Sequence, residues 1–360
     1  MSVSHNPLLS LDSIDVHFGG DSGLLDRFLH RDNDVVQAVD DVSLEIGEND
    51  VVALVGESGC GKTTLGKTMI GLQQPSSGTV RYRDQDIWKS QTGEGDIPYR
   101  EIRKSLQMVH QDAEGSLDPH RTVFKNLSPV LKKWRPELNL VQRRTLIQQM
   151  LDTVGLTPSD DYASRYPHQL SGGEAQRTVI VRSMLLQPDL ILADEAVSAL
   201  DVSLRVNLMD LLLELQEMFD TSFVFISHNM SNARYLASKA DGRIGVMYLG
   251  QIVEIGPVES VIENPQHPYT KSLLWATSGI SKVNEPIDDP PVRTIDVPDP
   301  ENPPSGCRFH TRCPEAREAC AQNRPGLNEL DDNDHYAACI YAHDTDEYRN
   351  SESLTDSNRQ

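Results

Sequence analysis

The sequence predicts an α/β protein built on a mainly parallel sheet, with a small cysteine-containing C-terminal extension. Three observations predict it. VVALV (51–55), DLILAD (189–194) and SFVFIS (222–227) are short apolar runs of the length of strands buried on both faces. Stretches with a period near 3.6 alternate with them, notably VQRRTLIQQMLDTVGL, EAQRTVIVRSMLLQ and DVSLRVNLMDLLLELQEMF. The first of these strands runs into a glycine-rich turn that opens a helix, as a parallel βα unit requires.

Taken in order, LDSIDVHF (11–18) opens as a strand and the Gly/Asp/Arg-rich stretch from Gly19 to Asp34 follows as a loop. AVDDVSLEI (38–46) is a second strand, turned by Gly47 and Asp50 into the run at 51–55. A helix continues through TTLGKTMIGL, and TVRYR (79–83) and SLQMVH (105–110) are further strands. From about 122 to 186 the periodicity is helical. The runs at 189–194 and 222–227 then flank a long helix, and RIGVMYL and QIVEIG are strands joined at Gly250. Residues 281–306 carry many Pro and Asp residues and almost no periodicity, so they form a linker or an arm laid over the body. The cysteines occupy 307–341, and the polar tail, 344–360, is expected to be disordered. The expected units are a large α/β domain at 8–262, with a helical subdomain at about 119–186, and an extension at 263–343.

At 360 residues the chain has room for two domains, or for one large domain with an appendage, and 38% hydrophobic residues supply a core. Arg and Lys total 33 against 54 Asp and Glu, a net charge of -21, and a field of that sign repels nucleic acid. Ten lysines against 23 arginines and an acidic surface suit a high-salt cytoplasm, such as that of a halophilic archaeon. No run of 18 apolar residues predicts a membrane span, and no secretory pattern opens the chain. Five cysteines are too few for a disulfide scaffold, yet four of them fall in the last 54 residues.

GESGCGKT, Gly56 to Thr63, fits the phosphate-loop pattern G-x-x-x-x-G-K-[ST] in full, between an apolar strand and a helix. Its glycines let backbone N–H groups curl round a β-phosphate, and the helix N-terminus adds its positive end. Lys62 reaches the β- and γ-phosphates, and the Thr63 hydroxyl can ligate Mg²⁺. Cys60 lies inside the loop, where an amide-rich environment would lower its pKa, although a small structural role suits it as well. The second acidic element, LILADE (190–195), ends a buried strand in Asp194, the place for a metal-side carboxylate, and Glu195 follows where it can polarise a water near the γ-phosphate.

With these residues and LSGGEAQR (Leu170 to Arg177), the chain resembles the ATP-binding subunits of ABC transporters. An S-G-G at a helix start is itself an anion-binding terminus. In that family Ser171, Gly172 and Gly173 serve the ATP held by the opposite subunit. Gln111 matches the Q-loop glutamine, Ser198 to Asp201 the D-loop and His228 the switch histidine. Phe18 stands where the family places an aromatic against adenine. The resemblance therefore implies a P-loop NTPase fold of the ABC type, with catalysis by Glu195, His228, Lys62 and Gln111. It implies ATP contacts from Phe18, Gly56, Glu57, Ser58, Gly59, Cys60, Gly61, Lys62, Thr63, Thr64 and the S-G-G, and Mg²⁺ held by Thr63, Gln111 and Asp194.

QDAEGSLDPH (111–120), SALDVS (198–203), MYLGQIVEIG (247–256) and NPQHPYT (264–270) resemble more narrowly the dipeptide/oligopeptide importers, EGSLDP pointing to their F-type ATPase. Such a subunit works at the cytoplasmic face of the membrane. Its partners are a second, D-type ATPase subunit, two permease subunits and, indirectly, an extracellular solute-binding protein. Related importers carry nickel or oligosaccharides. A soluble ABC ATPase of DNA repair is a rival reading, disfavoured because Lys62 and Ser171 stand only 109 residues apart. A non-catalytic regulatory subunit is a second, disfavoured by intact Glu195 and His228. The chain departs from the pattern at Ala196, where the family has Pro, at Ala113, where Pro is common, and at Glu174. There Gln is usual, so Glu174 adds charge near a phosphate-bearing surface.

Cys307, Cys313, Cys320 and Cys339 suit either Zn²⁺ or an iron-sulfur centre, and two disulfides or free thiols fit the count as well. The C-x₂-C pairs of zinc knuckles are absent. The resemblance implies a [4Fe-4S] cluster.

Overall fold

The computed structural model describes residues 7–19, 35–113, 115–278, 291–331 and 334–354. The loop expected at 19–34 falls almost wholly outside the described residues, and so does the first part of the arm expected at 281–306.

Two sheets organise the chain. Strands β1 (Leu9–Phe18) and β2 (Val36–Ile46) pair antiparallel with each other, and β4 (Ser77–Tyr82) and β5 (Gln85–Asp86) complete a sheet of order β2-β1-β4-β5. The larger sheet takes β3 (Val51–Val55), β6 (Leu106–Val109), β7 (Leu190–Asp194), β8 (Ser222–Ser227) and β9 (Arg243–Tyr248), with β10 (Gln251–Pro257), β11 (Asn328–Asp331) and β12 (His335–Ala337) added on one side. Its order is β11-β12-β10-β9-β3-β8-β7-β6. The ladders β6–β7, β7–β8, β8–β3 and β3–β9 are parallel. Thus the mainly parallel sheet expected from sequence is the centre of the larger sheet, and the small antiparallel sheet is an addition to it. The side-chain pattern explains the division. β3 and β8 are buried at every position, as strands covered on both faces must be, whereas the second half of β2 alternates buried and exposed.

Successive residues of β3 point into two cores. Val51, Ala53 and Val55 join the larger one, while Val52 and Leu54 join a second core shared with Leu9, Ile14 and Val16 of β1. Helix α1 (Lys62–Met69) follows β3 directly. Helices α2 (Ile87–Thr92) and α3 (Tyr99–Ser105) are too short for a periodic signal. Four helices then pack together: α4 (Val123–Trp134), α5 (Leu140–Thr153), α6 (Ser159–Ser164) and α7 (Gly172–Met184). Val123, Leu127 and Leu131 form a buried stripe on α4, at the spacing of one helix face. Asn139 caps α5 and Gln142 returns the bond, a capping box that contributes about 1 kcal/mol. Helices α8 (Val202–Phe219) and α9 (Met230–Lys239) flank β8, and α10 (Val258–Glu263) and α11 (Pro268–Ser278) follow β10. Among the described residues no helix is long and apolar enough to cross a membrane.

The C-terminal segment is part of the body. β12 pairs with β10 through Glu254↔Ala337 and Ile255↔Tyr336, so the extension lengthens the main sheet. Helix α12 (Glu318–Gln322) and helix α13 (Asp346–Arg349) lie beside each other. The tail expected to be disordered from 344 is therefore ordered through 354: Tyr348 is buried, its hydroxyl donates to Glu315 O at 3.1 Å, and Arg317 stacks on its ring. One aromatic anchor outweighs the polar composition that suggested disorder. Residues 355–360 lie outside the described residues.

Candidate functional site

The parallel strands end together, and four of them lead into residues singled out from sequence. β3 leads into the phosphate loop, β6 to Gln111, β7 to Asp194 and β8 to His228. This carboxyl edge is where an open α/β sheet gathers its ligand.

Steric demand selects the loop's glycines. A Cβ on Gly56 would stand 2.2 Å from Met247 O, and one on Gly61 would stand 2.1 Å from Ala38 O; both have positive φ. Gly61 caps α1 in the left-handed region, so Lys62 and Thr63 begin the helix with their amides at its positive end. The Lys62 ammonium donates to Gly56 O at 2.8 Å and Glu57 O at 2.9 Å, and Thr63 Oγ1 donates to Asp194 Oδ1 at 2.9 Å. Burial pushes the Asp194 carboxyl up, against the Thr63 bond that lowers it, and Glu195 adds to the rise. Two hard oxygens held together beside a phosphate loop are a donor set that suits Mg²⁺, which takes one or two protein ligands and completes its shell with phosphate and water.

Glu195 adopts φ 52°, left-handed for a non-glycine residue, and its amide donates to Ile226 O at 3.0 Å. Ser198 Oγ donates to its carbonyl at 2.8 Å. These bonds hold a sparsely populated conformation that turns the carboxylate toward β8. Its Oε2 lies 2.7 Å from His228 Nδ1. Ala196 and Val197, where a proline was expected, are buried, and the turn is fixed by these bonds instead.

A cavity of about 330 Å³ opens over this edge. Ser58, Gly59, Gly61, Lys62, Thr63, Thr64 and Glu195 line one side, and Val36, Gln37, Ala38, Leu249 and Gly250 another. Pro300, Pro303 and Arg308, from the C-terminal extension, close it. Gly56, Glu57 and Cys60 do not line it: Glu57 turns to Arg312 at 3.0 Å, and Cys60 is buried. The expectation of a lowered Cys60 pKa is reversed, because burial raises it more than Lys62 lowers it. Phe18 ends β1 opposite Val36, is 42% exposed and does not line the cavity. Gln111 is exposed just beyond β6, and its neighbour His110 is within electrostatic reach of Asp194.

Ser171, Gly172 and Gly173 do not line this cavity. Ser171 is the N-cap of α7; its amide donates to Glu174 Oε2 at 2.7 Å, closing a capping box. Glu174 also accepts from Tyr162 Oη at 2.6 Å and has Arg165 at 3.9 Å, so its charge is engaged within the cap. The bond from Tyr162 holds its carboxyl below the usual range. Ser171 and Gly172 are exposed, and so are Val202 (73%) and Leu204 on the neighbouring α8.

The four C-terminal cysteines are unbridged. Burial pushes Cys307 up to about 12 and Cys339 up to about 11, and the neighbouring thiols add to it: Cys339 and Cys320 act on Cys307. Cys313 rises for the same reasons, acted on by all three others. Among the described residues no three His, Cys, Asp or Glu side chains are gathered so as to hold a metal ion. Two histidines of this segment have partners of their own, His335 with Glu254 at 2.8 Å and His310 with Cys307 O.

Sequence reasoning did not single out Arg308, Arg312 or Tyr269. Tyr269 Oη accepts from the Glu57 amide at 2.9 Å. The available signal was the pair of arginines inside CRFHTRC, adjacent to cysteines in an otherwise acidic chain.

Residues 39–198 match the family model described as ABC transporter, and residues 253–320 match that described as oligopeptide/dipeptide transporter, C-terminal region. The chain is 39% identical over 341 residues to the oligopeptide transport ATP-binding protein AppF of Bacillus subtilis, spanning 94% of this chain and 98% of AppF. It is 39% identical over 318 residues to the di/tripeptide transport ATP-binding protein DppF of Pseudomonas aeruginosa, spanning 88% and 93%. Among solved structures, the dimeric ATP-binding cassette MJ0796, in a post-hydrolysis state bound to ADP and Pi, is 26% identical. It aligns with a TM-score of 0.55 over 69% of this chain and 98% of that one.

Proposed function

The chain belongs to the ATP-binding proteins of oligopeptide and dipeptide ABC transporters, and on that premise we propose that it hydrolyses ATP to drive peptide import through a membrane transporter. The observation that carries the reading is the joining of Lys62, Thr63, Asp194 and Glu195 at one cavity mouth, through the Thr63–Asp194 bond at 2.9 Å and the cavity that Lys62, Thr63 and Glu195 share.

In this reading the loop amides and Lys62 bind the β- and γ-phosphates. Thr63, Asp194 and Gln111 would hold Mg²⁺, which would supply charge neutralisation on the phosphate oxygens. Glu195 orients the attacking water and accepts its proton, and His228, anchored on Glu195, supports the charge that develops on the γ-phosphate. Ser171 and Gly172 are exposed, and with Gly173 they do not line the chain's own cavity, which supports a role toward ATP on a second subunit. We read that subunit as a D-type partner in a heterodimer, since the relatives named above are F-type proteins. Two permease subunits complete the transporter, with a solute-binding protein acting from outside, and place this chain at the cytoplasmic face of the membrane. The ATPase unit takes 8–262, with the helices at about 119–186 facing the permeases, and the extension takes 263–343.

The cysteines carry a finer reading, a [4Fe-4S] cluster. It rests on the four-cysteine pattern of the resemblance and on four unbridged thiols near enough to oppose one another's ionisation. The high-salt reading rests on the net charge of -21 and the scarcity of lysine.

Equilibrium titration of the purified chain with labelled ATP tests the proposal. Wild type binds, and Lys62→Ala weakens binding at least about tenfold by removing the cation that reaches the phosphates. Equal binding by both would overturn the site assignment.

A further inference from the structure

The cysteine loop of the extension reaches the phosphate loop directly. Cys307 and Cys313 bracket the sequence RFHTR, whose Arg308 lines the nucleotide cavity and whose Arg312 pairs with the phosphate loop. Arg312 pairs with Glu57, the second residue of the phosphate loop, at 3.0 Å. Arg308 donates to Gln37 Oε1 at 2.6 Å, to the Asp40 carboxylate and to Leu249 O, which binds it to β2 and to the β9–β10 turn. Between them Phe309 packs edge-on against Tyr248 at 5.2 Å and against Tyr269 at 5.4 Å, and Tyr269 in turn holds the Glu57 amide. Arg308 is only 6% exposed, and the surface it keeps faces the cavity, where it stands with Pro300 and Pro303.

Asp40 balances the Arg308 charge, and five guanidinium N–H groups against three acceptors leave donors at the cavity wall for an anionic or strongly polar ligand. That wall also includes Val36, Gln37 and Leu249, so the cavity there joins apolar surface to one cation. That is the chemistry of a nucleoside with its first phosphate. Lys62, Thr63 and Glu195 supply the wall for the terminal phosphates.

We propose that the C-terminal extension forms the nucleoside-side wall of the ATP site, with Arg308 contacting the sugar and α-phosphate region of the bound nucleotide. The inference rests on the assignment of this cavity to ATP. By linkage, nucleotide binding and docking of the cysteine loop strengthen each other by the same factor. Loss of that docking, through damage to the cysteines, therefore lowers nucleotide affinity although no cysteine lines the cavity.

Titration of the full chain with ADP and with ATP, in wild type, Arg308→Ala, Arg308→Lys and Arg324→Ala, tests it. Arg324 also grips Asp40, at 3.0 Å, but does not line the cavity, so it controls for anchoring alone. Arg308→Ala is expected to weaken ADP and ATP by the same factor, about tenfold, as for loss of one charge-assisted contact. Arg308→Lys is expected to recover part of it, and Arg324→Ala to stay within about twofold of wild type. Affinity unchanged in Arg308→Ala, or an equal loss in Arg324→Ala, overturns the proposal. Hydrogen exchange on wild type keeps the test open if Arg308→Ala fails to fold: amides from 305 to 313 are expected to exchange more slowly with ADP, and unchanged exchange overturns it. If wild type binds neither nucleotide, the ATP assignment itself has failed.

Discussion

His228 Nδ1 lies 2.7 Å from Glu195 Oε2, joining the ends of two neighbouring parallel strands, β8 and β7. The contact exists because Glu195 is left-handed at φ 52°. An extended residue there would continue the strand direction and carry the carboxylate past the histidine. Asp194, one residue earlier, points instead to Thr63. Two successive carboxylates thereby acquire separate partners and separate tasks.

Glu195→Gln is expected to retain ATP binding and to lose hydrolysis by at least roughly 10²-fold, because an amide cannot take a proton from water. Single-turnover hydrolysis in the assembled transporter measures it. Turnover near the wild-type rate would remove Glu195 from the role of base.

His228→Ala is expected to slow hydrolysis by roughly 10²-fold while changing ATP affinity by less than about threefold, since the histidine touches Glu195 and not Lys62 or Thr63. A loss of affinity as large as the loss of rate would show that it acts in ground-state binding instead.

His267 gives a pH dependence of stability. It is 1% exposed, and burial pushes its pKa down to about 4 from the ordinary 6.5, although Glu254 opposes the shift; Lys271 adds to it. The Tyr269 amide donates to His267 Nδ1 at 3.1 Å, which requires the neutral ring. A folded-state pKa below the unfolded one gives stability that is full above pH 6.5 and is lost as pH falls toward 4. The loss is about 3 kcal/mol. His267→Asn keeps an acceptor near Nδ1 without the titration. Urea denaturation at pH 7 and pH 4.5 is expected to show a smaller drop for this variant, and equal drops would refute the assignment.

Anaerobic purification followed by metal and acid-labile sulfide analysis is expected to give a brown protein with absorbance near ~400 nm and about four irons per chain. Stoichiometric zinc without sulfide would overturn the cluster. Cys339→Ser is expected to loosen the extension, which β12 joins to β10 just before Cys339, and to leave the Glu195–His228 pair in place.

With a net charge of -21, the folded chain is expected to gain thermal stability as salt rises from 0.1 M to 2 M KCl, where the Debye length falls from about 10 Å to below about 3 Å and self-repulsion is screened. A melting temperature that stays flat or falls across this range would remove the support for a high-salt setting.

The sequence by itself determined the parallel centre of the sheet and the residues at its edge. Short apolar runs of five or six residues, bounded by turn residues, read as strands covered on both faces, and the phosphate loop, Asp194, Glu195 and His228 lie at or just beyond the ends of such runs. Local chemistry suffices where a residue's place is set by the strand it terminates. Tertiary structure alone decided that Glu195 meets His228 across 33 positions, that Phe18 stands outside the cavity wall, that Glu174 is absorbed in a helix cap, and that Arg308 stands 271 positions from Gln37 and yet donates to it. Each depends on the direction of a side chain after distant segments have packed. A composition-poor arm such as 291–313 carries no periodicity to announce its docking, because its anchors are a few arginines and one phenylalanine whose partners exist only once the sheet has formed.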